Sequence, residues 1–238
     1  MKKILPFLLP VRSIIFILVF TIGAAITNNN LSDISNWWSV VATATNIVTI
    51  VILLLAARVG KMTYAGLINY KKGQTKIRQI ILMTVLILSA GMGLMYVAGF
   101  ICYGVFPYMA PMMCAPINKY LAIINLILLP VTTALAEDGL YLGAGVNQIK
   151  NKYAAVVVPA FFFALQHCFI PTLWDVRYML YRFLSFLPLT VILCAYYHKK
   201  RNPLPVMVGH AFIDMATGVM IMITSVDPGL YAKWMEMA

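Results

Sequence analysis

Residues 37–57 read WWSVVATATNIVTIVILLLAA, without a single charge. That length matches the about 20 apolar residues a helix needs to cross a bilayer. The segment behind it, 58–78, carries Arg58, Lys61, Lys71, Lys72, Lys76 and Arg78. An uncharged run closed by a cluster of cations reads as a membrane span held at its cytoplasmic end. Outward from this stretch the same alternation recurs, and apolar runs near 5–27, 37–57, 79–106, 119–147, 153–170, 178–198 and 203–224 predict about seven spans. Backbone groups in lipid must be satisfied within their own segment, so an all-α polytopic transmembrane bundle is expected.

Composition agrees. Hydrophobic residues make up 62% of the 238 positions and charged residues 11%, against about 45–50% and about 25% in soluble domains. A soluble domain of this size has too little interior to hide that surface, and a disordered chain is far more polar. Lys plus Arg number 18 and Asp plus Glu 7, for a net charge of +11. These cations sit in the loops between apolar runs, so they indicate a lipid bilayer as partner and no nucleic acid.

The loops set an orientation. Cations occupy 58–78, Lys150 with Lys152, and Lys199 to Arg201, whereas 28–36, 107–118 and 171–177 hold only Asp33, Asp175 and Arg177. With Lys2 and Lys3, the basic loops fall on one side, which predicts a cytoplasmic N-terminus. Lys2, Lys3 and the apolar run Ser13 to Thr27 also resemble a signal peptide; an uncleaved first span is the preferred reading, because the segment before Ser13 is itself apolar. The whole chain, 1–238, reads as a single integral membrane domain. Cys102, Cys114, Cys168 and Cys194 form no CxxC pair and are expected to be free thiols.

Function shows where the chain accepts a cost. An ionisable residue at a span's centre costs roughly 2.5–3.5 kcal/mol on insertion scales. Glu137 and Asp138 lie in the fourth run, His167 in the fifth, Arg182 in the sixth, and His210 with Asp214 in the seventh. At about 1.5 Å per helical residue from the nearest basic loop, Glu137, His167 and Asp214 all come out about 20 Å deep, with His210 somewhat shallower. Pairing between helices accounts for one such residue; two histidines and three carboxylates at one depth call for more. A carboxylate beside imidazoles in a dry cavity can take a proton from water. A divalent metal such as zinc, held by His167, His210 and Glu137, is the other route to an activated water. A transporter would also place acids and histidines at mid-membrane, but the chain lacks an internal repeat. A haem held by His167 and His210 ranks last.

The order of these residues resembles the CAAX protease and bacteriocin-processing family, also called Abi or CPBP. Its first motif is two glutamates, three residues and an arginine; here the stretch is Glu137-Asp138-Gly139-Leu140-Tyr141-Leu142. Phe163 through His167 resembles the second motif, Phe-x-x-x-His, and His210 through Asp214 the third, His-x-x-x-Asn or Asp. The resemblance covers a core of about residues 119–224. It implies a membrane-embedded endopeptidase, with Glu137 as general base, His167 sharing the water, and His210 with Asp214 supporting the oxyanion. It also implies a peptide or membrane-tethered protein substrate and a cell membrane, in bacteria the plasma membrane. Asp138 in place of the second glutamate and Leu142 in place of the arginine depart from the pattern. Arg182 carries no motif and reads first as structural, balancing a nearby acid; it is also a candidate to supply the charge of the missing cation. The alternative those departures carry is a non-catalytic bacteriocin self-immunity or membrane-interaction protein with a degenerate protease site.

Overall fold

The computed structural model describes residues 5–236, so Lys2 and Lys3 lie outside the described residues. The chain is an all-helical bundle with only one isolated β-bridge, between Phe169 and Thr172, among the described residues. The ten α-helices are α1 Val11–Thr27, α2 Leu31–Ser35, α3 Trp38–Val59, α4 Tyr64–Leu67, α5 Ile77–Tyr103, α6 Lys119–Thr133, α7 Ala154–His167, α8 Val176–Lys200, α9 Leu204–Val226 and α10 Pro228–Glu236. Among the described residues, six stretches are long and apolar enough to cross a membrane: Leu5–Thr27, Trp38–Val59, Ile77–Tyr103, Lys119–Val146, Val176–Lys200 and Leu204–Val226. The fifth predicted run forms only the shorter α7, of 14 residues, which spans about 21 Å at the usual rise. The sixth run is unbroken despite Arg182 and Pro188.

Polarity is arranged inside out. Ile14, Leu18, Leu54, Leu82 and Ile127 face outward, whereas Arg12, Asn46, Thr49, Glu137, Asp138 and Gln166 are buried. Water would drive the first set inward; a lipid exterior removes that driving force and leaves packing and hydrogen bonds to join the helices. A polar seam does this between α3 and α6. Asn46 Nδ2 donates to Thr132 Oγ1 and Thr133 Oγ1 at 3.1 and 2.9 Å, and Thr43 Oγ1 donates to Asn125 Oδ1 at 2.5 Å. All four cysteines are free, as the sequence suggests.

The second, fourth and sixth loops, which hold most of the cations, meet at one end of the bundle. Asn69 Nδ2 donates to the Arg201 carbonyl at 2.9 Å, Arg201 Nη1 to Asn147 Oδ1 at 2.6 Å, and Thr75 Oγ1 to Asn202 Oδ1 at 2.9 Å. The charge alternation read from the sequence therefore corresponds to a physical end of the molecule.

One element departs from the expected regular helix. Beyond α6 the backbone widens into a π-helical segment, Ala134–Val146, whose hydrogen bonds close on i→i+5. Tyr64 donates its hydroxyl to the Leu135 carbonyl in this segment. Small residues let neighbours close on the wider coil: a Cβ on Gly145 would lie 2.8 Å from Pro159 Cγ and 2.9 Å from its Cβ. The proline ring is stiff and cannot swing away. Gly145→Ala is expected to destabilise the protein by about 1–3 kcal/mol through overpacking, read as a lower unfolding temperature in detergent.

Candidate active site

The π-helical segment places Glu137 and Asp138 together. Adjacent acids on a regular helix diverge by about 100° and reach one cavity only from its corner. Here both carboxylates are buried and both approach the same imidazole: Glu137 Oε2 lies 3.8 Å from His210 Nε2, and Asp138 Oδ1 lies 3.3 Å from His210 Nδ1. Asp214, one turn along α9, brings Oδ2 to 3.8 Å from the same Nε2. His210 thus has a carboxylate on each side.

His167 arrives from the last turn of α7. Its Nε2 lies 4.0 Å from Glu137 Oε2, and its Nδ1 lies 2.8 Å from the Phe163 carbonyl. A carbonyl oxygen only accepts, so Nδ1 carries the hydrogen and Nε2 of the neutral ring is left as an acceptor facing the site. Phe186 stacks on the imidazole with centroids 3.6 Å apart and planes 11° from parallel. The Phe-x-x-x-His spacing has a local use here: the phenylalanine's carbonyl, one helical turn earlier, fixes the ring.

Glu137 is held from its other side. Arg12 of α1 donates from Nη2 to Glu137 Oε1 at 2.8 Å, from Nε to Gln166 Oε1 at 2.6 Å and from Nη1 to Thr49 Oγ1 at 3.1 Å. The Tyr141 hydroxyl also donates to Gln166 Oε1, at 3.1 Å. Arg12 is not among the residues the motifs single out, although it is the only charge in the run 5–27 and a lone cation within a span is itself a signal. Gln166 and Tyr141 carried no comparable signal.

Arg182 is not the replacement cation. Its Nε donates to the His167 carbonyl at 3.3 Å, and its guanidinium sits 4.8 Å over the Phe186 ring. It lies on α8 against the end of α7, so it meets the backbone of the second motif and not the acids of the first.

Three atoms face one another across the centre: Glu137 Oε2 and the two Nε2 atoms. Oε2 is buried and has no hydrogen-bond partner in the protein. Separations of 3.8 and 4.0 Å exceed direct hydrogen bonds and fall within the reach of one bridging water. Among the described residues no three His, Cys, Asp or Glu side chains are placed together to hold a metal ion. Ligands around one zinc lie roughly 3.3 Å apart, given bonds of about 2.0–2.1 Å, so the candidate set of His167, His210 and Glu137 is wider than that as it stands.

This centre opens on a cavity of about 520 Å³. The sequence predicts that spans four to seven enclose it. Trp38 and Ala42 of α3, and Ile87 and Met92 of α5, line it as well, so the second and third spans also form its wall.

A buried acid–imidazole centre inside an inside-out helical bundle, with six stretches able to cross a membrane, defines a multi-pass membrane protein with a polar site in its interior. The family model of type II CAAX prenyl endopeptidases, Rce1-like, matches residues 119–216, a segment that holds Glu137, Asp138, His167, His210 and Asp214. The resemblance expected from the three motifs is borne out over that segment, and at family level it supports a CAAX-type intramembrane protease. No curated protein and no solved structure matches the chain. Arg12 and Thr49 lie outside the matched residues.

Proposed function

We propose that this chain is an intramembrane endopeptidase that hydrolyses a peptide bond in a membrane-associated peptide or protein. The observation that carries the reading is the unpartnered Glu137 Oε2 facing two imidazole Nε2 atoms at 3.8 and 4.0 Å in the interior of the bundle. A water held among these three atoms donates to Oε2 and to His167 Nε2. As its oxygen bonds to the scissile carbonyl carbon, Glu137 takes the proton. The carbonyl π electrons move to oxygen, and His210 is the side chain placed to donate from Nε2 to that oxyanion. Collapse of the intermediate breaks the C–N bond, and Glu137 returns its proton to the departing amine. Asp138 orients His210 through Nδ1, and Asp214 borders the same imidazole.

The cavity suits an apolar substrate segment. Beyond the acid–imidazole end, Met92, Met95, Met109, Met113 and Met220 line it; such unbranched, polarizable side chains repack around irregular apolar groups. The test is purified, detergent-solubilised protein with a quenched, farnesylated peptide ending in a CAAX sequence, its products identified by mass. Cleavage lost in Glu137→Gln supports the reading; no cleavage by the unsubstituted protein overturns it for this substrate class.

By the same reading the protein sits in a cell membrane, with the basic end of the bundle and the N-terminus cytoplasmic. Single cysteines in the 58–78 loop of a cysteine-free background are expected to resist a membrane-impermeant thiol reagent in intact cells and to react after lysis. Labelling in intact cells would reverse the orientation.

A further inference from the structure

We propose that Arg12 is a positioning residue for Glu137, supplied by the first span to a motif that lacks its own cation. The inference rests on the hydrolytic reading of the site and adds to it a residue outside the matched segment. Among the described residues, Arg12 with Glu137 is the one ion pair between an arginine or lysine and a carboxylate. The guanidinium is completely buried, a placement tolerated only when its donors are satisfied. Each of its three nitrogens donates to a different element: Nη1 to Thr49 on α3, Nη2 to Glu137 on the π-helical segment and Nε to Gln166 on α7.

That division fixes direction. Oε1 of Glu137 is tied to Nη2 at 2.8 Å, so the carboxylate cannot turn about its terminal bond without losing a charge-assisted hydrogen bond. The remaining oxygen, Oε2, is then the one presented to His167 and His210. Gln166, adjacent in sequence to His167, is held by the same fork, so one side chain sets both the acid and the end of α7 that carries the imidazole. Within the π-helical segment the motif position for a cation is Leu142, which is buried and apolar, and Arg182 is engaged with the His167 carbonyl.

Two variants and two readouts test this. Arg12→Met keeps a long apolar stem without the fork, and Arg12→Lys keeps the charge but concentrates it on one atom that cannot span three partners. On the farnesylated peptide, Arg12→Met is expected to lower kcat per folded molecule about 100-fold, the scale of a 1 Å misplacement, with KM little changed and Arg12→Lys recovering part of the loss. A purely structural strut would lower the unfolding temperature and leave kcat per folded molecule alone, and that result overturns the proposal. The second readout needs no activity: a hydrophobic carbodiimide, with adducts located by fragment mass, should spare Glu137 in the unsubstituted protein and modify it in Arg12→Met. Equal modification in both also overturns it. If Arg12→Met does not fold, Arg12→Lys carries both comparisons. Failure of the unsubstituted protein to cut this peptide overturns the hydrolytic reading for that substrate class, while the carbodiimide contrast still decides whether Arg12 holds Glu137.

Discussion

Glu137→Gln is expected to lower cleavage by about 10²–10⁴-fold, the contribution of a positioned general base. The amide keeps the size of the side chain, and its oxygen still accepts from Arg12 Nη2, now 2.8 Å from Oε1. It cannot take a proton from water. Folding should therefore survive, with a modest fall in unfolding temperature because a buried guanidinium then faces a neutral partner. Initial rates on the farnesylated peptide, set beside a melting curve for each protein, separate the two effects. The competing picture, an immunity or interaction protein with a decayed site, makes the opposite forecast: a cellular protection phenotype should persist in stably expressed Glu137→Gln.

His210→Asn carries the second large effect. Asparagine's amide can replace Nδ1 as a donor to Asp138 Oδ1, now 3.3 Å away, but it ends short of the position of Nε2. The substitution thus removes the atom that faces Glu137 and Asp214 and preserves the contact that buries Asp138. Loss of one oxyanion donor lowers kcat by about 10²–10³-fold, and KM should change little because the donor matters most when charge develops. A rise in KM with kcat intact would show instead that His210 only binds the substrate.

The spans were legible because lipid imposes length and composition on each run separately. Predicted runs at 37–57 and 203–224 became Trp38–Val59 and Leu204–Val226. The acids and imidazoles were legible too, since each is costly in its own helix whatever its partner. Partnership was not. Arg12 and Glu137 are 125 residues apart, and no local pattern links them. The π-helical register was hidden for a different reason. Its Gly- and Ala-rich run has no periodicity that separates i→i+5 from i→i+4 bonding, so nothing local announces the wider coil from which Glu137 and Asp138 both reach His210.

The Arg12–Glu137 pair also bears on how the protein is made. Chain elongation at about 5–20 residues per second puts the acid's arrival roughly 6–25 seconds behind the arginine's. Throughout that interval the first helix must reside at the ribosome exit or in the bilayer with an uncompensated cation. Arg12 stands near the beginning of its helix, Val11–Thr27, so its flexible stem can carry the guanidinium out to the headgroups while it waits. Completion of the fourth helical stretch then gives it a reason to turn inward. Assembly of the acid–imidazole site is thereby coupled to the capture of the earliest helix by one of the later ones, and a nascent chain halted before residue 137 should leave that helix tethered but not yet clamped by its ion pair.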